Sequence, residues 1–220
     1  PAAAAMQVLD LIGSSWMSQA IATAAELRLP DLIGDAGAGA DDLARQSGCA
    51  GEPVRRLLRG LATLSLCRED EQGGFHLTAT GRLLREDDPS SVRAWALWWG
   101  RHLWSVWGDL PDSVRTGASV RSLRTGRTGY AHVEGDAATA EAFNRAMMDL
   151  TRLAADEVLR LHDFAAVRRV VDVGGGRGEL LARVLGAHPH LEGVLFDLPH
   201  AAQTARAVFE AAGQIGRAHV

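Results

Sequence analysis

The sequence predicts a mainly α amino-terminal module of winged-helix layout, followed by an α/β unit of Rossmann-like βαβ type. Three observations predict it. Two short amphipathic helices lead into an alternating stretch around Gly73-Gly74, the layout helix, helix, hairpin. Five of the six tryptophans crowd one helical segment, from Trp95 to Trp107. The run "VVDVGGGRGELL" then passes from an apolar strand through Gly174, Gly175, Gly176 and Gly178 into a helix.

Composition bounds these readings. With 220 residues, 47 % of them apolar, the chain has material for one ordinary domain or two small ones. Its formal net charge of -4 gives no general pull toward nucleic acid or anionic membrane. Cys49 and Cys67 stand apart with no C-x-x-C, so neither a metal-ligand set nor a disulfide framework is read, and a reduced, cytoplasmic setting is expected. The opening "PAAAAMQVLDLIGSSW" lacks a basic n-region and carries Asp10, and no run reaches the roughly 18 apolar residues that span a bilayer.

Apolar residues at helical spacing predict a helix from Met6 to Leu29, closed by "RLPDLIGDAG". "ADDLARQSG" reads as a short helix with an acidic first turn, and "EPVRRLLRGLATLSL" as a second with Pro53 near its start. "LCREDEQGGFHLT" is a hairpin, and Thr78 can cap a restarted helix in "TATGRLLRED". Such a unit can bind DNA, with Arg55, Arg56 and Arg59 facing the groove. Leu57, Leu58, Leu61 and Leu64 make that helix largely apolar, however, and the wing "REDE" would repel phosphates.

After the linker "EDDPSS", the tryptophan-rich segment predicts a helix covered on more than one side. Residues 117–135 read as an irregular loop. A long helix follows, with Asp136 as N-cap and Phe143, Met147, Leu150, Ala154, Val158 and Leu161 as its apolar stripe. Arg168 to Val173 is then a strand expected to be buried on both faces, "ELLARVLGAHP" a helix, and "LEGVLFDLPH" a second parallel strand.

Three ligands compete for the glycine loop. A nucleoside triphosphate loop needs a lysine after the glycines, and here Arg177-Gly178-Glu179 puts an acid at the helix start. A dinucleotide loop needs a third glycine where Glu179 stands. The remaining pattern, D-x-G-x-G-x-G over Asp172, Gly174, Gly176 and Gly178, suits S-adenosylmethionine, whose sulfonium and ammonium are cationic and tolerate a nearby acid. Asp197, at the end of the next strand, is placed to accept hydrogen bonds from both ribose hydroxyls.

These residues resemble the small-molecule O-methyltransferases of the plant caffeate and hydroxyindole type, including bacterial antibiotic-pathway members. The resemblance covers nearly the whole chain. "LRLPDLIGDAGAGADDLARQSG" and "RRLLRGLATLSL…FHLTATGRLL" look like that family's dimerisation module, "WGDLPDSVRTG" its connecting helix, "AFNRAMMDLT" its substrate-side helix, and "VVDVGGGRGELLARVLGAHPHLEGVLFDLPH" its cofactor signature. The implied fold is a mainly α winged-helix dimerisation module (residues 1–90), connecting helices forming a dimer and substrate wall (91–165), and an incomplete α/β Rossmann-like methyltransferase domain (166–220). Carried over by position, Gly174, Gly175 and Gly176 lie against the methionine part of S-adenosylmethionine and Asp197 holds its ribose. Thr151 contacts the cofactor carboxylate, while Phe143 and Met147 line the pocket of a small hydroxyl acceptor. A homodimer through the amino-terminal module is implied, with no nucleic-acid or membrane partner and a place in secondary metabolism.

Many members of that family add a histidine base from a segment well beyond the second strand. Here the sequence stops at Val220 with two predicted strands, and none of the eight histidines substitutes convincingly, so no catalytic residue and no metal ligand are named. The expectation is a truncated chain with little or no activity alone, an uncovered sheet face and an apolar edge. Two other readings stay open: a winged-helix DNA-binding regulator with a nucleoside-sensing βαβ unit, and a nicotinamide-dependent oxidoreductase.

Overall fold

Backbone hydrogen bonding divides the predicted first helix in two, α1 (Ala2–Gly13) and α2 (Ser15–Glu26), where the Ser14 hydroxyl donates to the Leu11 carbonyl at 2.7 Å. This computed structural model describes residues 2–129 and 136–219, and of residues 200–203 the backbone alone. The chain divides into two units at Arg124–Thr125, inside the 91–165 segment of the sequence reading.

In the first unit, α3 (Leu29–Ile33), α4 (Ala40–Ser47) and α5 (Gly51–Thr63) precede a small antiparallel sheet. Its strands β1 (Ala38–Gly39), β2 (Cys67–Glu69) and β3 (Gly74–Leu77) lie in the order β1-β3-β2, with Cys67 opposite Leu77 and Ala38 opposite Phe75. The hairpin falls at Gly73-Gly74 as predicted, and β1 is an added strand too short to carry an alternating pattern. Thr78 caps α6 (Ala79–Arg82), its hydroxyl accepting from the Gly81 N–H at 3.1 Å. Leu29, Leu43, Leu58 and Phe75 are fully buried in the core these elements share.

The tryptophan-rich segment is not one helix. It runs as α7 (Arg93–Trp98), a π-helical turn (Trp99–Leu103), α8 (Trp104–Gly108) and α9 (Leu110–Thr116). Gly100 explains why α2 comes so close: a Cβ there would lie 2.3 Å from the Ala22 Cβ. Trp98 is buried and stacks on His102 with ring centroids 4.2 Å apart, and Trp95 and Trp99 are half-buried, whereas Trp104 and Trp107 are exposed, so the expected cover does not extend to α8 among the described residues. A short helix, α10 (Val120–Thr125), occupies part of the predicted loop, and residues 130–135 lie outside the described residues.

The second unit begins with α11 (Ala137–Leu161), capped by the Asp136 carboxylate, which accepts from the Ala138 and Thr139 N–H groups. Its buried line differs from the predicted stripe. Ala146, Asp149 and Ala155 are buried, Phe143, Met147 and Val158 half-buried, and Leu150, Ala154 and Leu161 exposed. The physical reason is that burial follows the neighbours, and α11 packs along the next helix rather than around its own most apolar side.

Parallel strands β4 (Arg169–Val173), β5 (Glu192–Phe196) and β6 (Ala218–His219) lie in the order β4-β5-β6. The helices α12 (Glu179–Ala187) and α13 (Pro199–Ala211) supply Leu181, Leu185 and Phe209 to a core with Leu191 and Leu195. The third strand was not predicted, and long-range polar contacts hold it. Gln214 Nε2 donates to the Ala182 carbonyl at 2.7 Å, and Arg217 donates to the carbonyls of Leu185 in α12 and of Pro189 and Leu191 in the segment after it. β4 is not buried on both faces: Val171 is 55 % exposed, Val173 74 % and, beside it in register, Phe196 68 %. A parallel strand is buried on both sides only when helices cover both, and these two helices share one core on one side.

Candidate functional site

Register builds the site. Val173 pairs with Phe196, so β4 and β5 end together, and the Gly174 N–H donates to the Phe196 carbonyl at 2.8 Å as the chain leaves the sheet. Asp197, one residue past β5, therefore arrives at the glycine bend. Its Oδ2 accepts from the Gly176 N–H at 2.7 Å and its Oδ1 from the Leu198 N–H at 2.6 Å. A carboxylate has about four lone-pair directions, so two remain for a ligand.

The loop has an open side and a floor. Among the described residues a Cβ added at Gly174 or Gly176 would meet nothing within 4 Å, while at Gly175 it would strike the Asp172 carboxyl at 2.5 Å and the Leu195 side chain at 2.7 Å. Asp172 alternates with Val171 and Val173, so it points to the helix-covered side of the sheet. Its Oδ2 is buried without a hydrogen-bond partner, and burial first, then the charge of Asp197, raises its pKa above the usual carboxylate value. Gly178 starts α12 with φ 80°, and a Cβ there would lie 2.6 Å from the buried Phe209 ring. Glu179 follows in the first turn, where the helix dipole favours an acid, 3.7 Å from Arg183.

Of the residues singled out by sequence, Gly174, Gly175, Gly176 and Asp197 come together. Thr151, Phe143 and Met147 share α11 and are each half-buried, and no hydrogen bond joins Thr151 to the loop among the described residues. Sequence reasoning treated Asp172 only as the first letter of a motif and missed its place under the loop. It also missed that Arg177 Nη1 reaches Glu141 of α11, at 3.2 and 3.3 Å from the two carboxylate oxygens.

The histidines have structural surroundings. His76 Nε2 lies 2.7 Å from Asp70 in the hairpin, His102 stacks on Trp98, and the rings of His162 and His188 pack against Phe164. His190 Nε2 lies 3.2 Å from the Phe164 carbonyl oxygen, and His219 ends β6. His132 and the side chain of His200 lie outside the described residues. In the winged-helix unit, Arg59 makes a two-pronged contact with Glu69 at 2.9 and 3.0 Å, and Arg55 lies 3.6 Å from Asp41. Cations already paired inside their own module have less to offer a phosphate backbone.

A family profile for the O-methyltransferase dimerisation domain matches residues 9–87, and one for the O-methyltransferase domain matches residues 107–220. The chain belongs to the O-methyltransferase family. Among its relatives, the phenazine O-methyltransferase PhzM of Lysobacter antibioticus is 32 % identical over 198 residues, covering 90 % of this chain and 58 % of that protein. The solved structure of the mitomycin 7-O-methyltransferase MmcR is 34 % identical with a TM-score of 0.86, covering 100 % of this chain and 65 % of that one. The O-methyltransferase NcsB1 from neocarzinostatin biosynthesis, crystallised with S-adenosylmethionine and 2-hydroxy-5-methyl naphthoic acid, is 32 % identical with a TM-score of 0.74, covering 93 % and 63 %. This O-methyltransferase chain thus spans 58 % of the length of its phenazine relative. No helix among its described residues is long and apolar enough to cross a membrane.

Proposed function

We propose that the chain provides the dimerisation module and the S-adenosylmethionine loop of a cytoplasmic enzyme that methylates a hydroxyl of a small aromatic or polyketide-like acceptor in secondary metabolism. The observation that carries the reading is the Asp197 carboxylate at 2.7 Å from the Gly176 N–H, beside a loop where a Cβ at Gly174 or Gly176 would meet nothing within 4 Å among the described residues. The donor chemistry fits these residues. Asp197 has free lone pairs for a ribose diol, and Asp172 adds a second acid beneath the loop, suited to a cationic ligand and unsuited to a pyrophosphate.

When bound, S-adenosylmethionine supplies an electrophilic methyl carbon on a sulfonium. The work of the chain is alignment, since an in-line displacement gains most from holding donor and acceptor in one geometry. Gly174, Gly175 and Gly176 lay bare backbone against the methionine part, Asp197 orients the ribose, and Thr151 takes the carboxylate. Phe143 and Met147, half-buried on α11, form a pliant apolar wall for a flat acceptor. No residue of this chain is assigned the task of removing the acceptor proton.

Residues 1–90 form the dimerisation module of a homodimer in this reading, 91–165 the connecting wall and 166–220 the cofactor part. Two features support the dimer. No residue of α1 is buried, although Met6, Leu9, Leu11 and Ile12 are apolar, and an apolar cavity of about 440 Å3 lined by Ile21, Leu84, Trp95 and Trp99 opens in the same unit. Calorimetric titration tests the reading as a whole. The expected result is saturable binding of S-adenosylmethionine and of S-adenosylhomocysteine at one site per chain. Absence of both, or preference for a nicotinamide dinucleotide, overturns it.

A further inference from the structure

Arg177 is the cation of the glycine loop, set between Gly176, which bonds Asp197, and Gly178, which opens α12. Its guanidinium is turned toward α11, where Nη1 meets both carboxylate oxygens of Glu141; the Nε is buried and has no hydrogen-bond partner. Glu141 is shared, accepting from Arg145 Nε at 2.8 Å as well. Arg145 is well exposed, whereas the Arg177 side chain is only 24 % exposed, so of the two cations Arg177 depends more on the pairing. The hydrogen bond from Arg145 first, and the charge of Arg177 with it, keep Glu141 below the usual carboxylate range and therefore ionised near neutrality.

The charges around the loop now sum in a definite way. Asp172 lies beneath it and Asp197 at its rim; Glu179 shares Arg183 with Asp156, and Arg177 shares Glu141 with the exposed Arg145. Withdrawing Glu141 would leave a positive guanidinium on the loop itself. We propose that Glu141, by neutralising Arg177, sets the charge preference of the cofactor site, allowing the two-acid cradle to favour a cationic sulfonium donor over its neutral thioether product. This inference rests on the reading given under Proposed function. In that setting Glu141 is a positioning residue, acting through Arg177 and touching no reacting atom.

The two cofactor forms differ in charge only at sulfur, so the ratio of their affinities isolates the electrostatic effect from any loss of loop geometry. Titrations of wild type, Glu141→Gln, Arg177→Gln and the double variant, each with S-adenosylmethionine and S-adenosylhomocysteine, test it. For Glu141→Gln the preference for the sulfonium should fall about fivefold at low salt, between the effects of a unit charge in water and at a protein surface, and the fall should diminish at about 0.5 M salt. The double variant, which has neither charge, should return the ratio to the wild-type value. Equal weakening of both ligands, an unchanged ratio, or no recovery in the double variant overturns the proposal. A wild-type chain that binds neither ligand instead overturns the cofactor reading itself and takes this inference with it. Circular dichroism of each variant confirms that the part-buried pair has been changed without loss of fold.

Discussion

Asp172 and Asp197 carry the same carboxylate a short distance apart, and their surroundings give them opposite parts. Asp197 is tied to two backbone N–H groups at the rim, so Asp197→Ala removes charge-assisted bonds worth about 1.5–3 kcal/mol to whatever shares them. Titration should then find S-adenosylhomocysteine binding weakened at least about tenfold. Asp172 is destabilising in its ionised form. Because burial raises its folded-state pKa above the unfolded value, the folded chain takes up the proton first. The stability this lends is full below the unfolded pKa and is lost as pH rises through the raised one. Asp172→Asn should accordingly melt above wild type at pH 7 and level with it near about pH 3, where both side chains are neutral; scanning calorimetry at the two pH values checks this. Asp197 was readable from its place after an apolar strand. That Asp172 lies on the covered side and Val171 and Val173 on the bare one was not, because the residues of β4 do not tell which side the helices cover.

Secondary-structure elements were legible where a local device specifies them. The Asp136 cap, the Gly73-Gly74 hairpin and the Thr78 cap each need only a few neighbouring residues. Elements shaped by distant contacts were not. The π-helical turn at Trp99–Leu103 lies where α2 presses on Gly100, and the buried side of α11 is chosen by its packing partner. Gly100→Ala puts a methyl group 2.3 Å from that of Ala22. Overpacking of this kind costs about 1–3 kcal/mol, so urea denaturation should show a lower midpoint with an unchanged m value. If the midpoint does not move, the close approach of α2 to the π turn is wrong.

Across the entire chain, the apolar surfaces that remain uncovered are the most informative feature. α1 is helical yet buries nothing, and a helix of 12 residues without packing is marginal in water. A dimer that covers α1 predicts that Leu9→Glu together with Ile12→Glu converts it to monomer in sedimentation velocity, while far-ultraviolet dichroism loses at most the α1 contribution. A dimer that persists in the double variant places the interface elsewhere. The bare sheet face at Val171, Val173 and Phe196 is a second such surface: strand patterning read β4 as covered on both sides, whereas the small number of predicted strands pointed to one uncovered face. From the order of residues one could already obtain the two architectures, the hairpin, the caps, the glycine bend and the acid that meets it, because each depends on side-chain chemistry within a few positions or on one βαβ connection of fixed hand. Three-dimensional packing settled which face of each strand and helix is buried, that the final residues return as a strand beside β5, and that Arg177 is neutralised from α11. Those outcomes depend on contacts between residues 20 or more positions apart, as in the 26 to 36 residues separating Arg217 and Arg177 from their partners, and no local pattern encodes them.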